Sequence, residues 1–220
     1  MSRNKVLLTI GLFLIILSAC SGGRVEEQIH SHLEETVVLE QEFEAQQSDI
    51  TELEKQEQEI YAQVIDLSME EFDEITELSQ EAIKIIEERS EKIDAERESI
   101  VSAREEFEQI EGLLEDIEAE NVRTKGEEMY QTMVARYDIY DELYEAYKES
   151  LKLENELYTM LQEEGVEQQE LNDHIEMVNE TYGKILDAND EFNELTIEYN
   201  NLKQEFYEEA GIEVTFEGED

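Results

Sequence analysis

The sequence predicts an all-α fold, an elongated up-and-down bundle of long helices, and three observations carry that expectation. Proline is absent from all 220 residues. Between Arg24 and Gly211, glycine stands only at positions 112, 126, 165 and 183, too little punctuation for strands and turns. Apolar residues recur at alternating steps of three and four, the spacing by which one helix face meets another.

The first element is a leader. Arg3 and Lys5 form a positive start, and Val6 to Leu17 is apolar apart from Thr9 and Gly11. A run of this length suits a secretory leader and is short for a permanent membrane span. Leu17-Ser18-Ala19-Cys20 follows, with the only cysteine of the chain at its end. This string resembles the lipobox of bacterial lipoproteins, in which the chain is cut between Ala19 and Cys20 and the Cys20 thiol is acylated. Residues 1–19 are therefore expected to be a signal peptide, and residues 20–24 a lipidated cysteine with a flexible Ser-Gly-Gly tether. The covalent diacylglycerol on Cys20 is the anchor expected, with no other cofactor. Each buried acyl CH₂ contributes about 0.8 kcal/mol, and two or more chains hold where one does not. The expected location is the extracytoplasmic face of the cell membrane.

Residues 25–212 form the predicted bundle. The first helix carries a loose seam through Ile29, Leu33, Phe43, Ile50, Leu53, Ile60 and Val64, and Ser68-Met69-Glu70-Glu71 then reads as a capping box opening the second. From Phe72 to Ile117, eleven of fourteen seam positions are apolar; the exceptions are Ser79, Arg89 and Glu96. A break is expected near Asn121 to Gly126, giving four helices of roughly 40 to 50 residues, about 60 to 75 Å each. Were residues 119–127 to stay helical, the alternative is a three-element coiled coil with one very long rod. Gly165 suits the left-handed position after a helix end, and Gly211 closes the last helix in the same way. The last seam runs through Leu171, Ile175, Val178, Tyr182, Ile185, Phe192, Tyr199 and Phe206. Residues 213–220 are an acidic tail.

Charge narrows the functions. Against 16 Lys+Arg stand 61 Asp+Glu, a formal charge of −45, which excludes nucleic acid as a phosphate-tracking partner. Removal of Arg3 and Lys5 with the leader takes this to −47, so membrane attachment has no polybasic help. One cysteine allows no internal disulfide and no cysteine-based zinc cage. His30 and His32 are two apart and point apart on a helix. Glu27-x-x-His30 has the local spacing of a di-iron ligand pair, but such sites need that spacing on two helices, so no metal is expected. Catalytic triads and phosphate-cradling glycine loops are missing, and carboxylates on heptad rods read as a solvated face. The chain is expected to be no enzyme.

Tyrosine is the remaining feature. Tyr130, Tyr137, Tyr140, Tyr144, Tyr147 and Tyr158 share one helical stripe roughly 100° wide. Two readings follow: a core seam with hydroxyls bonded at its margin, which the helical spacing favours, or a glycan-binding groove centred on Tyr137, Tyr140 and Tyr144.

The lipobox, the segment YDIYDELYEAYKESLKLENELYTML at 137–161 and the closing NELTIEYNNLKQEFYEEAGI at 193–212 together resemble the YkyA-type cell-wall-binding lipoproteins of Gram-positive bacteria. The resemblance implies an all-α bundle on the outer face of the membrane with a wall-binding role, and it carries no catalytic motif. The expected function is a non-catalytic envelope or cell-wall binding or spacer protein. Its partners would be membrane lipid through the anchor, and either an envelope protein or wall polymer bridged by divalent cations, because anionic wall polymers repel a chain of this charge. The alternative is an extracytoplasmic holdase or scaffold for secreted proteins, which needs an exposed apolar patch or clamp.

Overall fold

The computed structural model describes residues 24–213. The leader, Ala19, Cys20 and tail residues 214–220 lie outside them. The described residues are helical almost throughout: α1 (Val25–Leu39), α2 (Gln41–Asp66), α3 (Phe72–Phe107), the short α4 (Glu111–Leu114), α5 (Glu120–Met160) and α6 (Gln168–Ala210). With α1 and α2 counted as one bent rod, four long helices run up and down. The lateral order is α2, α3, α5, α6, and the two outer helices do not pack along each other.

Local chemistry places most of the ends. The Ser68 N–H donates to Glu71 Oε2 at 3.0 Å, and the Glu71 N–H returns a bond to the Ser68 side chain, closing the capping box ahead of α3. Gly211 sits at φ +66°, and the Ile212 N–H reaches back to the Tyr207 carbonyl at 2.9 Å while the Gly211 N–H bonds Glu208. These two bonds satisfy carbonyls that the end of α6 would otherwise orphan. Gly165 takes φ +101° within the α5–α6 turn, several residues past the end of α5 rather than at its cap.

Two features differ from the sequence expectation. The break before α5 lies upstream of Asn121 to Gly126: the chain turns after Leu114, Ala119 is extended, and Asn121 and Gly126 are inside α5. Gly126 is there for packing. A Cβ would stand 2.6 Å from Leu114 Cδ2 and 3.2 Å from Phe206 Cε2, so α4 and α6 approach α5 at the one position without a side chain. Gly183, inside α6, meets nothing within 4 Å. Gly183→Ala should therefore raise stability by about 1 kcal/mol through helix propensity. Gly126→Ala, which must push Leu114 and Phe206 aside, should lose that gain. Urea melts of the two variants check this.

The other difference is the bend between α1 and α2. In a continuous helix the Phe43 N–H would bond the Leu39 carbonyl. Here the Ser99 hydroxyl of α3 takes both places: it accepts from the Phe43 N–H at 3.1 Å and donates to the Leu39 carbonyl at 2.6 Å. An inserted side chain of this kind bends a helix, and it turns Glu40 inward.

Two apolar clusters fill the interior. One joins α1, the end of α3, α4, the start of α5 and the end of α6 around Phe107, which stacks on Tyr130 at 5.4 Å and meets Tyr137 and Tyr199 edge-on. The second joins α2, the first half of α3 and the end of α5, and α6 adds only the half-buried Ile185 to it. The first half of α6 therefore rests on α5 without reaching α2, and a groove opens between α2 and α6.

Candidate functional site

The groove encloses about 1140 Å³. Its walls are α1, α2 and α6; its floor comes from α3 and α5, including Arg89, Glu96, Tyr147 and Tyr158. Two of the three polar residues that interrupt the α3 seam thus stand on this floor. Sequence reasoning registered them as exceptions to a pattern and did not name them as a site. A charged residue on the buried phase of an otherwise apolar seam was the signal that could have found them, since such residues are almost never enclosed unless paired.

Arg89 is 1% exposed and holds the floor together. Its guanidinium donates to Glu57 and, at 2.8 Å, to Glu154 Oε2, with Tyr147 Oη at 2.9 Å. Glu54 lies 3.7 Å away at the rim. The second oxygen of Glu154 accepts from Ser150 Oγ at 2.6 Å and Tyr182 Oη at 2.7 Å, which ties α6 to the cluster. Burial and the neighbouring Glu154 charge push the Glu57 carboxyl up to about 7, against the pull of Arg89. The acids in turn hold the Arg89 guanidinium firmly charged despite its burial.

Glu96 is 3% exposed and has neutral donors only: Tyr140 Oη at 3.1 Å and Gln47 Nε2 at 2.8 Å. Burial raises its carboxyl to about 7, and those two bonds oppose the rise. A carboxyl raised on folding binds its proton more tightly in the folded state, so its contribution is full below the unfolded value near 4.5 and is lost as pH rises through about 7. Glu96→Gln should then be more stable than the parent at pH 8 by on the order of 2 to 3 kcal/mol, with the difference vanishing near pH 4.5. Denaturation at a series of pH values measures it; parallel curves would refute the assignment.

Further along, Arg136 Nη1 and Nη2 grip Glu40 Oε1 and Oε2 at 2.8 and 3.1 Å, and Arg136 Nε bonds Thr196 of α6. The bend at Glu40 makes this pair possible.

Of the tyrosines singled out in the sequence, Tyr137 is 0% exposed, its ring against Phe107 and its hydroxyl donating to Glu40 at 3.2 Å. It belongs to the core and offers no face to a sugar. Tyr140 is buried and half-buried Tyr144 donates to Asp94 Oδ1 at 2.9 Å; both contribute to the groove floor. The stripe faces inward: Tyr130 and Tyr137 pack in the core around Phe107, while Tyr140, Tyr144, Tyr147 and Tyr158 line the groove floor. Sequence reasoning did not name as site residues two further aromatics of the groove walls, Tyr61 of α2 and Tyr182 of α6.

The three histidines are separate. His32 pairs with Glu106 at 2.6 Å, His30 lies against the Tyr207 ring, and His174 donates to the Leu153 carbonyl at 2.7 Å. Among the described residues no three acids or histidines gather as metal ligands, and no helix is long and apolar enough to cross a membrane.

Comparison with known proteins adds three findings. The uncharacterized lipoprotein YkyA of Bacillus subtilis (strain 168) is 34% identical over 100 residues, 46% of this chain and 45% of that protein, so the match spans less than half of the relative. The crystal structure of a conserved protein of unknown function from Staphylococcus aureus superposes with a TM-score of 0.73 at 15% identity, covering 83% of this chain and 93% of that one. That likeness shows the shared fold. The family model YkyA, described as "Putative cell-wall binding lipoprotein", matches residues 24–209, nearly the whole described bundle, and the chain belongs to this family.

Proposed function

We propose that the chain is a lipid-anchored envelope protein whose α2–α6 groove holds a glycan strand of the cell wall without cleaving it. The observation that carries this reading is the makeup of the groove walls. Exposed side-chain amides of Asn179, Asn189, Asn193 and Asn200 follow one another along α6, with Tyr182 among them and Tyr61 opposite on α2. Amides donate to and accept from sugar hydroxyls, and tyrosine rings offer flat apolar faces to sugar rings. The floor carboxylates support binding over cleavage. Glu57 and Glu154 share one Arg89 nitrogen, whereas glycoside hydrolysis needs two carboxyls flanking a scissile bond.

The anchor follows from Cys20. With diacylglycerol on that thiol, Cys20→Ser should move the protein from the membrane fraction to the medium. A variant that is cleaved normally yet still pellets with membranes in high salt would refute lipid anchoring. Wall binding is tested by co-sedimentation of the mature lipoprotein with purified wall. Binding that survives a chelator and falls in Tyr182→Ala and Asn193→Ala supports the groove; binding that needs divalent ions and ignores both substitutions points to cation bridging instead. One observation favours the holdase reading: Leu186, which lines the groove, is 63% exposed, and Met177 is also open to solvent. Suppression of aggregation of an unfolded secreted protein, with no wall binding, would support that reading.

A further inference from the structure

One wall of the groove lacks the negative charge that covers the rest of the chain. Helix α6 holds twelve acidic residues, and none of them lines the groove. The outer row of that wall is Asn179, Leu186, Asn193 and Asn200, all exposed and each seven residues from the next. Tyr182 and Asn189 stand beside this row, also seven apart. Across the groove, the exposed Glu44, Thr51 and Gln58 repeat the same step along α2. Such rows drift only about 20° per heptad, so three repeats stay on one side of a rod. The groove therefore runs between two polar rails of equal period. Asn193 Nδ2 donates to Asn189 Oδ1 at 3.3 Å, which steadies the Asn193 side chain and leaves its second N–H and its carbonyl for a ligand.

We infer that the groove reads an uncharged β-1,4-linked glycan of N-acylated hexosamines two rings at a time, with Asn193 and Asn200 holding the acyl amides of alternate rings. This rests on reading the groove as a glycan site, and it adds the linkage, the acylation and the register. Seven residues of helix rise about 10.5 Å, the length of two β-1,4-linked pyranose rings. That linkage turns each ring over relative to the one before it, so a given substituent returns to the same edge of the chain at every second ring. Chain and rail then share one repeat, and each added pair of rings renews the same contact. An α-1,4 chain curls and would leave a straight groove. The side-chain amides of Asn193 and Asn200 donate to N-acyl carbonyls, and hydroxyls on the other edge of the chain donate to Glu44 and Thr51. Leu186, 63% exposed on the same row, gives the methyl of an N-acyl group an apolar contact. Glu44 and Glu54 on the α2 side repel an anionic polymer from this place. From Asn179 to Asn200 the rail is about 32 Å long, room for six rings.

The test is calorimetric titration of the mature lipoprotein in detergent with neutral oligosaccharides. N-acetylglucosamine oligomers from dimer to hexamer should gain affinity severalfold at alternate additions and little at the additions between. Among glucose hexamers, the β-1,4 form should bind at least tenfold tighter than the α-1,4 form, which differs only in linkage, and the N-acetylated hexamer should bind tighter than both. Asn193→Ala and Asn200→Ala should each weaken the N-acetylated hexamer severalfold and leave the β-1,4 glucose hexamer nearly unaffected. Asn201→Ala, next in sequence and exposed outside the groove, should change neither. All three positions are exposed, so the variants should fold. Affinity that climbs evenly with every ring, equal binding of the two glucose hexamers, or indifference to Asn193→Ala and Asn200→Ala would each overturn the two-ring register and leave the glycan reading standing. Absence of binding by every oligomer and by purified wall would overturn both.

Discussion

Arg89→Met should be among the most damaging single substitutions in the chain, costing about 3 to 5 kcal/mol at neutral pH. The methionine fills much of the space, but Glu57 and Glu154 would keep their burial and lose their cation. Breaking one side of a buried ion cluster leaves charge without compensation, and that penalty dominates the loss. Its pH dependence is diagnostic. Glu57 already titrates near 7 with Arg89 present, and without the guanidinium its folded-state value rises further. Each such rise contributes stability that is complete below the unfolded value and lost as pH increases. The deficit of Arg89→Met should therefore be smallest near pH 5 and largest at pH 8. Replacing the acids as well, in Glu57→Gln/Arg89→Met/Glu154→Gln, should recover most of the loss. A deficit of equal size at every pH would show that Arg89 contributes through packing alone.

Ile110→Asp should be of similar or greater effect. Ile110 is enclosed with Phe107, Leu114 and Met129 in the cluster that joins α1, α3, α4, α5 and α6. Aspartate there would carry its carboxyl into an apolar enclosure, so it either folds protonated or opens the cluster; several kcal/mol is the expected cost. Ile86→Asp tests the same seam in the second cluster, where Ile86 is buried on α3. Glu88→Ala, exposed on the opposite phase, should fall within about 0.5 kcal/mol of the parent. Thermal melts of the three decide whether the seam phase governs folding; equal effects would refute it.

The sequence by itself determined the features that depend on a few neighbouring residues. Seam positions of α3 from Ile75 to Phe107 are buried, including Ser79, Arg89 and Glu96, because helical phase is set by spacing of three and four and carries through a polar interruption. The capping box at Ser68 and the left-handed Gly211 were legible for the same reason: their partners lie within five residues. The tertiary structure alone decided everything that joins distant segments. The α1–α2 bend exists because Ser99, 56 residues beyond Phe43, enters the helix ladder. Gly126, which looks like a break in the chain, is instead a place where Leu114 and Phe206 come close. Tyr137 became core and Tyr182 became groove wall according to which helix stood opposite, although both are tyrosines on apolar seams. Arg89 meets Glu57 and Glu154 across separations of 32 and 65 residues, and no local pattern records which of 61 acids a buried arginine will choose. Helical periodicity states which face of each rod turns inward. Which rods then meet, and where α2 and α6 stay apart to leave a groove, is settled by the packing of side chains between them.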